Sequence, residues 1–365
     1  MKRILVGGYY GYGNIGDEAI LEAFAQRILS FPDIEIKVLS SNRQYTISTQ
    51  GLYSVSRKNL IAMIGAMVSS DLFISGGGGL IQDSTSRLSP YYYLFQIFLA
   101  QILGRRCYVM GQGIGPISSA FTRSLMGDLF SSAEAIVIRD IESKNLLLNI
   151  LPAGKDVILG ADIALLLEPA PADRAVDILY DESIDDLPQP VLGCILKGNP
   201  RNRKNIAYLV DALNSCLEQI GGSVLFIPFY PSEDLKFNEL IMAGLKSPCA
   251  IIRKTHKPSE ILSLFRKADH ILAGRLHALV FSALVSTPFT PLVYDPKMSA
   301  FLDELGLSSS VITPIVGARS LEEALLNDIE SAPELVEKVK KRLQPLKERA
   351  ELNISKLLEI LDVTD

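Results

Sequence analysis

Short apolar runs alternate with stretches whose apolar positions recur at helical spacing along most of this chain. In the first half this pattern predicts strands at 3–7, 34–40, 70–75, 106–112, 135–139 and 156–159. Helices are predicted at 18–30, 59–68, 91–103, 122–130 and 140–148, with a weak segment between 41 and 58. Residues 168–190 break the pattern. Their E-P-A-P-A-D-R and D-E-S-I-D-D-L-P-Q-P stretches are rich in proline and acid, and read as a linker with an irregular excursion. The alternation then restarts. Strands are predicted at 191–196, 224–228 and 250–252, in a run ending at Ile271-Leu272, and at 291–294 and 310–313. Helices are predicted at 206–219, 235–246, 258–268, 278–285 and 299–305. The tail from 319 to 361 is helical nearly throughout, with Pro345 expected to open a separate helix. Strands alternating with helices imply parallel sheets covered on both faces. The expected fold is α/β, with two Rossmann-like doubly wound domains facing a cleft. The expected divisions are 1–168, a linker at 169–190, 191–318, and C-terminal helices at 319–365.

Composition narrows the class. A chain of 365 residues suits two cores, and 48% apolar with 21% charged residues suits a packed globular protein. A formal net charge of −5 without a basic run points away from nucleic acid. Cys107, Cys194, Cys216 and Cys249 form no C-x-x-C pair, and the three histidines are scattered, so no metal site is expected. Buried free thiols fit a reducing compartment. The apolar run after Met1 stops at Gly7-Gly8 and reads as a first strand instead of a signal peptide. The 91–103 run is interrupted by Gln96 and Gln101 and is shorter than the ~20 residues a membrane span needs. The expectation is a cytoplasmic protein whose membrane contact, if any, is peripheral.

Candidate chemistry is densest from 271 to 297, I-L-A-G-R-L-H-A-L-V-F-S-A-L-V-S-T-P-F-T-P-L-V-Y-D-P-K. Gly274 is a turn after a strand, and Arg275 and His277 stand where a small, apolar, buried helix begins. The next strand end delivers Asp295 and Lys297. A helix start with free N–H groups and nearby cations suits a small anion with several oxygens, and an imidazole there can move a proton. Each residue also has a plainer reading: Arg275 capping a sheet edge, His277 satisfied in the core, Lys297 solvated in a loop.

Other motifs sit at predicted strand ends. Gly11-Tyr-Gly13-Asn-Ile-Gly16 matches G-x-G-x-x-G, but the second strand ends Leu39-Ser-Ser-Asn42 with no acid for a dinucleotide ribose. The turn instead presents Asn14 and Asp17, the latter either a helix cap or a base. Gly76, Gly77, Gly78 and Gly79 follow a strand, with Gln82 and Asp83 just beyond, and serve either close packing or a ligand's approach. Gly111-Gln-Gly113-Ile-Gly115-Pro116 repeats the theme. Arg139 ends another strand, and either pairs with Asp140 or Glu142 or meets a ligand. Tyr9, Tyr10, Tyr12 and Tyr91 to Tyr93 lie near these loops, as packing or as surfaces for sugar rings.

Taken in order, these motifs together with Gly13-Asn-Ile-Gly-Asp-Glu18, Ser75-Gly-Gly-Gly-Gly-Leu-Ile-Gln-Asp83, Ile138-Arg-Asp140, Gly274-Arg-Leu-His-Ala278 and Tyr294-Asp-Pro-Lys297 carry a resemblance. The chain resembles the polysaccharide pyruvyl transferase family, most closely its bacterial cell-wall branch. The resemblance implies a GT-B-like fold, an N-terminal acceptor domain and a C-terminal donor domain. It implies transfer of pyruvate from phosphoenolpyruvate to two sugar hydroxyls as a ketal, with release of phosphate and no cofactor. The implied acceptor is N-acetylmannosamine on a lipid-linked precursor, met at the inner face of a membrane. On this reading Arg139, Arg275 and Lys297 bind the donor, and His277 is the general acid. Asp17 is the base, and Asn14, Gly76 to Gly79, Gln82 and Asp83 hold the acceptor. The alternatives are a nucleotide-sugar glycosyltransferase on the same fold and a non-catalytic anion-binding protein. Against the first, the helix after His277 carries no acid for a donor ribose.

Overall fold

A computed structural model describes residues 1–83, 86–184, 186–307 and 318–363. The chain divides into two compact units. One comprises Met1–Tyr12, Asp17–Glu168 and Pro345–Asp365, the other Gly13–Gly16 and Pro169–Gln344.

The first unit is built from β1 (Lys2–Tyr10), α1 (Ile15–Ile28), β2 (Ile34–Ser40), α2 (Arg43–Gln50), β3 (Tyr53–Ser56), α3 (Leu60–Val68), β4 (Leu72–Ser75) and β5 (Gly78–Ile81). It continues with α4 (Ser89–Ile102), β6 (Arg106–Ile114), α5 (Ala120–Ser131), β7 (Ala135–Ile138), α6 (Ile141–Leu148), β8 (Ile158–Leu159) and a 3-10 turn at Ile163–Leu166. Among the described residues the strands form one sheet in the order β3-β2-β1-β4-β6-β7-β8, with β5 added beside β6. Every pairing in it is parallel. Alternate side chains leave opposite faces of such a strand. Leu5, Phe73 and Val109 join a core with Met67, Leu94, Ile97 and Phe130 of α3, α4 and α5. Tyr108, one residue before Val109, lies on the other face and donates its hydroxyl to the carbonyl of Asn353 at 2.9 Å. Local caps start the helices. Asn59 accepts from the Ala62 N–H, Ser119 from Thr122 and Asp140 from Ser143.

The second unit holds α7 (Ala172–Asp181), β9 (Val191–Ile195), α8 (Arg203–Ile220), β10 (Ser223–Phe226), α9 (Pro231–Met242), β11 (Cys249–Ile251) and α10 (Pro258–Phe265). β12 (His270–Ala273), α11 (Leu276–Val285), β13 (Phe289–Pro291), α12 (Pro296–Glu304), α13 (Ala318–Glu330) and α14 (Ala332–Leu361) follow. Among the described residues its strands run β11-β10-β9-β12-β13, again all parallel. One face is covered by α8, α9 and α13 through Leu213, Phe237 and Leu325. Elsewhere Phe229, Phe265 and Phe281 form an aromatic cluster with ring centroids 5.3–6.0 Å apart. Phe281 lies in the middle of α11, so this cluster helps fix the helix that starts beside Arg275.

Several expectations are corrected. Residues 169–190 are not simply a linker, because α7 lies within them and buries Ala175 and Ile178. Arg174 ties it to Glu260 of α10 at 2.8 Å. The acids of that stretch masked a short apolar face. Pro345 does not begin a new helix. The break comes at Ser331, and α14 continues through the proline. A mid-helix proline forfeits a backbone hydrogen bond. Here burial of Val339, Leu343, Leu346, Ala350, Leu357 and Leu361 on one stripe outweighs that loss. The strand expected at 291–294 lies earlier, at Phe289–Pro291, which leaves Tyr294 in a loop. The glycine run is not all loop, since Gly78 and Gly79 belong to β5. The strand expected at 310–313 lies outside the described residues.

Phe281→Ala is expected to lower the stability of the second unit by ~3–5 kcal/mol, the usual cost of deleting a buried phenyl ring. Urea unfolding followed by circular dichroism checks this, and a loss below ~1 kcal/mol means the cluster does not anchor α11.

Candidate active site

In the second unit β9 and β12 are hydrogen-bonded neighbours, so Lys197 and Arg275 leave the same edge of the sheet. Arg275 is the extended residue before α11, with φ −138° and ψ 145°. Its Nε donates to Asp234 Oδ2 at 2.9 Å, and Nη2 donates to Asp234 Oδ1. Asp234 is 1% exposed and also accepts from the Tyr230 N–H at 2.9 Å. A buried carboxylate with these partners holds the guanidinium in one orientation and offsets most of its charge. Lys197, Asn199, Asn205, Asp234, Arg275 and Tyr294 line a cavity of about 520 Å³. Burial, and then the charge of Arg275, lower the pKa of Lys197. An anion entering the cavity would favour the charged form of Lys197 by its charge.

His277 is the second residue of α11 and is half-buried. A methyl group on Gly16 would fall 2.1 Å from its Nδ1, so only glycine lets the chain pass so close. Lys297 is half-buried at the start of α12, and its backbone N–H donates to Asp295 Oδ1 at 3.0 Å. Lys297 and His277 do not line the Lys197 cavity.

In the first unit Asp17 lies in the first turn of α1 and not at its cap. Asn14, which is grouped with the second unit, precedes the helix and accepts from the Gly16 N–H at 3.2 Å. Gly78 takes a positive φ of +94°, and a methyl group there would meet Asp17 Oδ1 at 2.9 Å. Gly76 and Gly77 pack tightly against Tyr10 and Ile20. Asp83 accepts from the backbone and hydroxyl of Ser118 and from the Ser119 N–H, and so ties its loop to the next one. Gln82 and Gly79 are half-buried. Arg139 is buried, bonded to Asp140 at 3.2 Å and to Asp162 at 3.1 Å. Burial alone lowers an arginine's pKa, but the two carboxylates raise that of Arg139 instead. Arg139 belongs to the first unit, and Arg275 and Lys197 to the second.

One first-unit residue escaped the sequence reading. Arg57 follows β3, is 7% exposed, and donates to the Gly8 carbonyl at 3.0 Å and the Tyr92 hydroxyl at 3.2 Å. The rings of Tyr12, Tyr92 and Tyr93 lie 4.4–5.5 Å from its guanidinium carbon. Tyr9 and Tyr12 stack at 4.1 Å. These tyrosines and Arg57 line a cavity of about 590 Å³. Of the other tyrosines read as sugar surfaces, Tyr10 is buried and Tyr91 bonds to Thr122. Arg57 was missed because β3 is short and weakly patterned. Its only signal was a basic residue just past a strand end.

The family model for polysaccharide pyruvyl transferase matches residues 14–296. The chain belongs to the polysaccharide pyruvyl transferase family. It is a transferase of polysaccharide biosynthesis, and the match begins at Asn14 and ends at the first residue of α12. No curated protein matches this family member significantly. Solved structures share its fold over nearly the whole chain. A glycosyltransferase from Rickettsia africae has a TM-score of 0.62 at 12% identity, with 100% of this chain and 99% of that one covered. HepE of Anabaena, in complex with UDP and glucose, has 0.60 at 14%, with 99% and 100% covered. MnaA of S. aureus, with UDP, has 0.66 at 11%, with 100% and 98% covered. Such low identities establish the fold alone: two Rossmann-like domains of GT-B type.

For this pyruvyl transferase family member, Gly16→Ala is expected to push the His277 ring aside. A displacement of that order costs ~10²-fold in turnover. Steady-state kinetics, with the imidazole followed by NMR, test this. Unchanged turnover with an unmoved resonance would show that the contact does not position the ring.

Proposed function

We propose that the protein transfers pyruvate from phosphoenolpyruvate to two hydroxyls of a sugar, forming a cyclic ketal and releasing phosphate. The acceptor is an N-acetylmannosamine unit on a lipid-linked cell-wall polysaccharide precursor, reached from the cytoplasmic side. Membership of the family supports the reaction class. The observation that carries the donor assignment is the second-unit cluster: a guanidinium held by buried Asp234, half-buried Lys197 whose pKa is lowered by burial, and the start of α11 beside them. Phosphoenolpyruvate carries a carboxylate and a phosphate and needs several such groups. UDP accompanies the Anabaena and S. aureus proteins. In this chain α11, L-H-A-L-V-F-S-A-L-V, offers no acid to a nucleotide ribose, which favours the smaller anion.

In this reading Asp234 occupies the Nε–Nη2 edge of Arg275 and leaves Nη1 for the donor. Lys197 and Lys297 add charge, and the N–H groups at the start of α11 face anionic oxygens. Arg139, bound by two carboxylates, contributes a nearly neutralised cation. His277 protonates the methylene carbon, which becomes a methyl group, and positive charge grows on the central carbon. One sugar hydroxyl adds there and its proton restores His277. The second hydroxyl closes the ketal as the carbon–oxygen bond to phosphate breaks. Asp17 takes that hydroxyl's proton, which leaves with the phosphate. The tyrosine-lined cavity around Arg57 receives the acceptor, with ring faces for the sugar and a cation for its anionic carrier.

Phosphate release on mixing phosphoenolpyruvate with a mannosamine acceptor tests the reading. Release dependent on a UDP-sugar, or none at all, points to the other two classes. His277→Ala is expected to lower turnover ~10²–10⁴-fold with little change in donor affinity. Asp17→Asn is expected to lose turnover and keep donor binding. An active variant of either kind removes that residue's role.

Lys197 makes a separate pH prediction. Its pKa is lowered, and only its protonated form attracts the donor. Donor affinity is therefore present at neutral pH and falls as pH rises, beginning below the ~10.4 of an ordinary lysine. Lys197→Met is expected to weaken donor binding ~10–100-fold and to abolish this alkaline limb. Calorimetric titration from neutral to alkaline pH decides, and a limb that survives in the variant belongs to another group.

A further inference from the structure

Helices α3 and α4 carry no charged residue: L-I-A-M-I-G-A-M-V and S-P-Y-Y-Y-L-F-Q-I-F-L-A-Q-I. Buried helices of this composition show no outward apolar face. These two do. On α3, Ile61 is 84% and Val68 52% exposed, one face at seven-residue spacing. On α4, Phe95, Phe98 and Ile102 are 40%, 45% and 61% exposed, at spacings of three and four. Phe121 of α5, 67% exposed, extends the surface, with its ring 6.2 Å from that of Tyr91. α3, α4 and α5 share one sheet face through their common core, so their outer sides face the same way. Exposed apolar side chains gathered on one side of a sheet in this way mark an interaction site.

Charge identifies the partner. From 57 to 106 the chain has five basic residues and two acids, although the whole chain is negative. Of the acids, Asp71 is bonded to Arg3 and Asp83 to Ser118 and Ser119. Lys58 and Arg87 are exposed just before α3 and α4, and Arg123 is exposed in the first turn of α5. The one acid on α5 is Asp128, in its last half. Uncharged helices with large apolar side chains, fringed by lysine and arginine, match an anionic bilayer: apolar groups enter the acyl boundary and cations meet the headgroups. The aromatic side chains suit the interfacial zone. The surface is also continuous with the tyrosine-lined cavity, since half-exposed Leu60 and Phe95 belong to both.

We propose that the outer face of α3, α4 and α5 is a docking surface for an anionic lipid bilayer, which sets the mouth of the Arg57 cavity at headgroup level. The docking rests on the helices' own pattern, while the delivery of a lipid-linked substrate to the cavity rests on the reading given above.

Co-sedimentation of the full chain with phosphatidylglycerol–phosphatidylcholine vesicles tests it, with pure phosphatidylcholine vesicles alongside. The wild type is expected to pellet with the anionic vesicles, and less so as salt rises. The triple variant Ile61→Ser, Phe98→Ser, Ile102→Ser is expected to weaken this partitioning at least ~10-fold. Arg87→Glu is expected to weaken it selectively on anionic vesicles. The three apolar positions are exposed and outside the catalytic set. The triple variant therefore keeps its circular dichroism and its phosphate release with a water-soluble mannosamine acceptor, which separates failed docking from a failed reaction assignment. Three results overturn the proposal: wild type remaining in the supernatant, a triple variant that pellets equally, or light scattering showing a wild-type dimer that the triple variant dissolves, which assigns the face to a second copy.

Discussion

Parallel pairing is the constraint on which the rest of this molecule depends. In a parallel sheet every strand ends on the same edge, and each return crosses over a face as a helix. Both sheets obey this throughout their described pairings. The first sheet therefore collects the ends of β1, β3, β4, β6 and β7 on one edge, where the glycine turns, Arg57 and Arg139 lie. The second collects Lys197, Arg275 and the loop through Tyr294. Helix starts lie on these same edges, so backbone N–H groups accompany the side chains. A binding edge follows from the topology before any particular residue is chosen.

What the chain places on those edges is governed by the cost of burying charge. Arg139 lies against Asp140 and Asp162, and Arg275 against Asp234, all substantially buried pairs. Removing one member of such a pair leaves an uncompensated buried charge, so the pairs fix orientation even where they add little net stability. Lys197 is treated differently. Its pKa falls because burial and Arg275 outweigh the nearby carboxylates. Arg57 solves the same problem without a carboxylate, using a carbonyl, a phenol and three aromatic faces. The molecule thus holds cations that are already oriented, and a ligand meets them without first having to arrange them.

The same crossovers dictate what the helices show to the outside. A helix on a sheet buries one stripe and leaves another. In α3 and α4 the outer stripe is as apolar as the inner one, and the charges have been moved to the turns before each helix. That arrangement serves no internal packing, since the core is already closed by Met63, Met67, Leu94 and Ile97. It lies beside the cavity lined by tyrosines and an arginine.

The residue pattern alone determined the alternation of strands and helices, the two halves, and the burial of α11. Those features follow from local periodicity, because each element has to cover a sheet face of known spacing. The glycines and basic residues at strand ends were legible for the same reason, since parallel strands make their C-terminal ends the binding edge. Tertiary structure decided what a linear pattern cannot carry. α7 is a helix because Ala175 and Ile178 find α10, and α14 runs through Pro345 because its buried stripe continues on both sides. Arg275 is held by Asp234, a residue 41 positions away that no local signal links to it. Arg57 enters the site only through its contacts with tyrosines 35 and 36 positions on. In each case the deciding term is a contact between segments distant in sequence, and its strength depends on burial that exists only once the chain has folded.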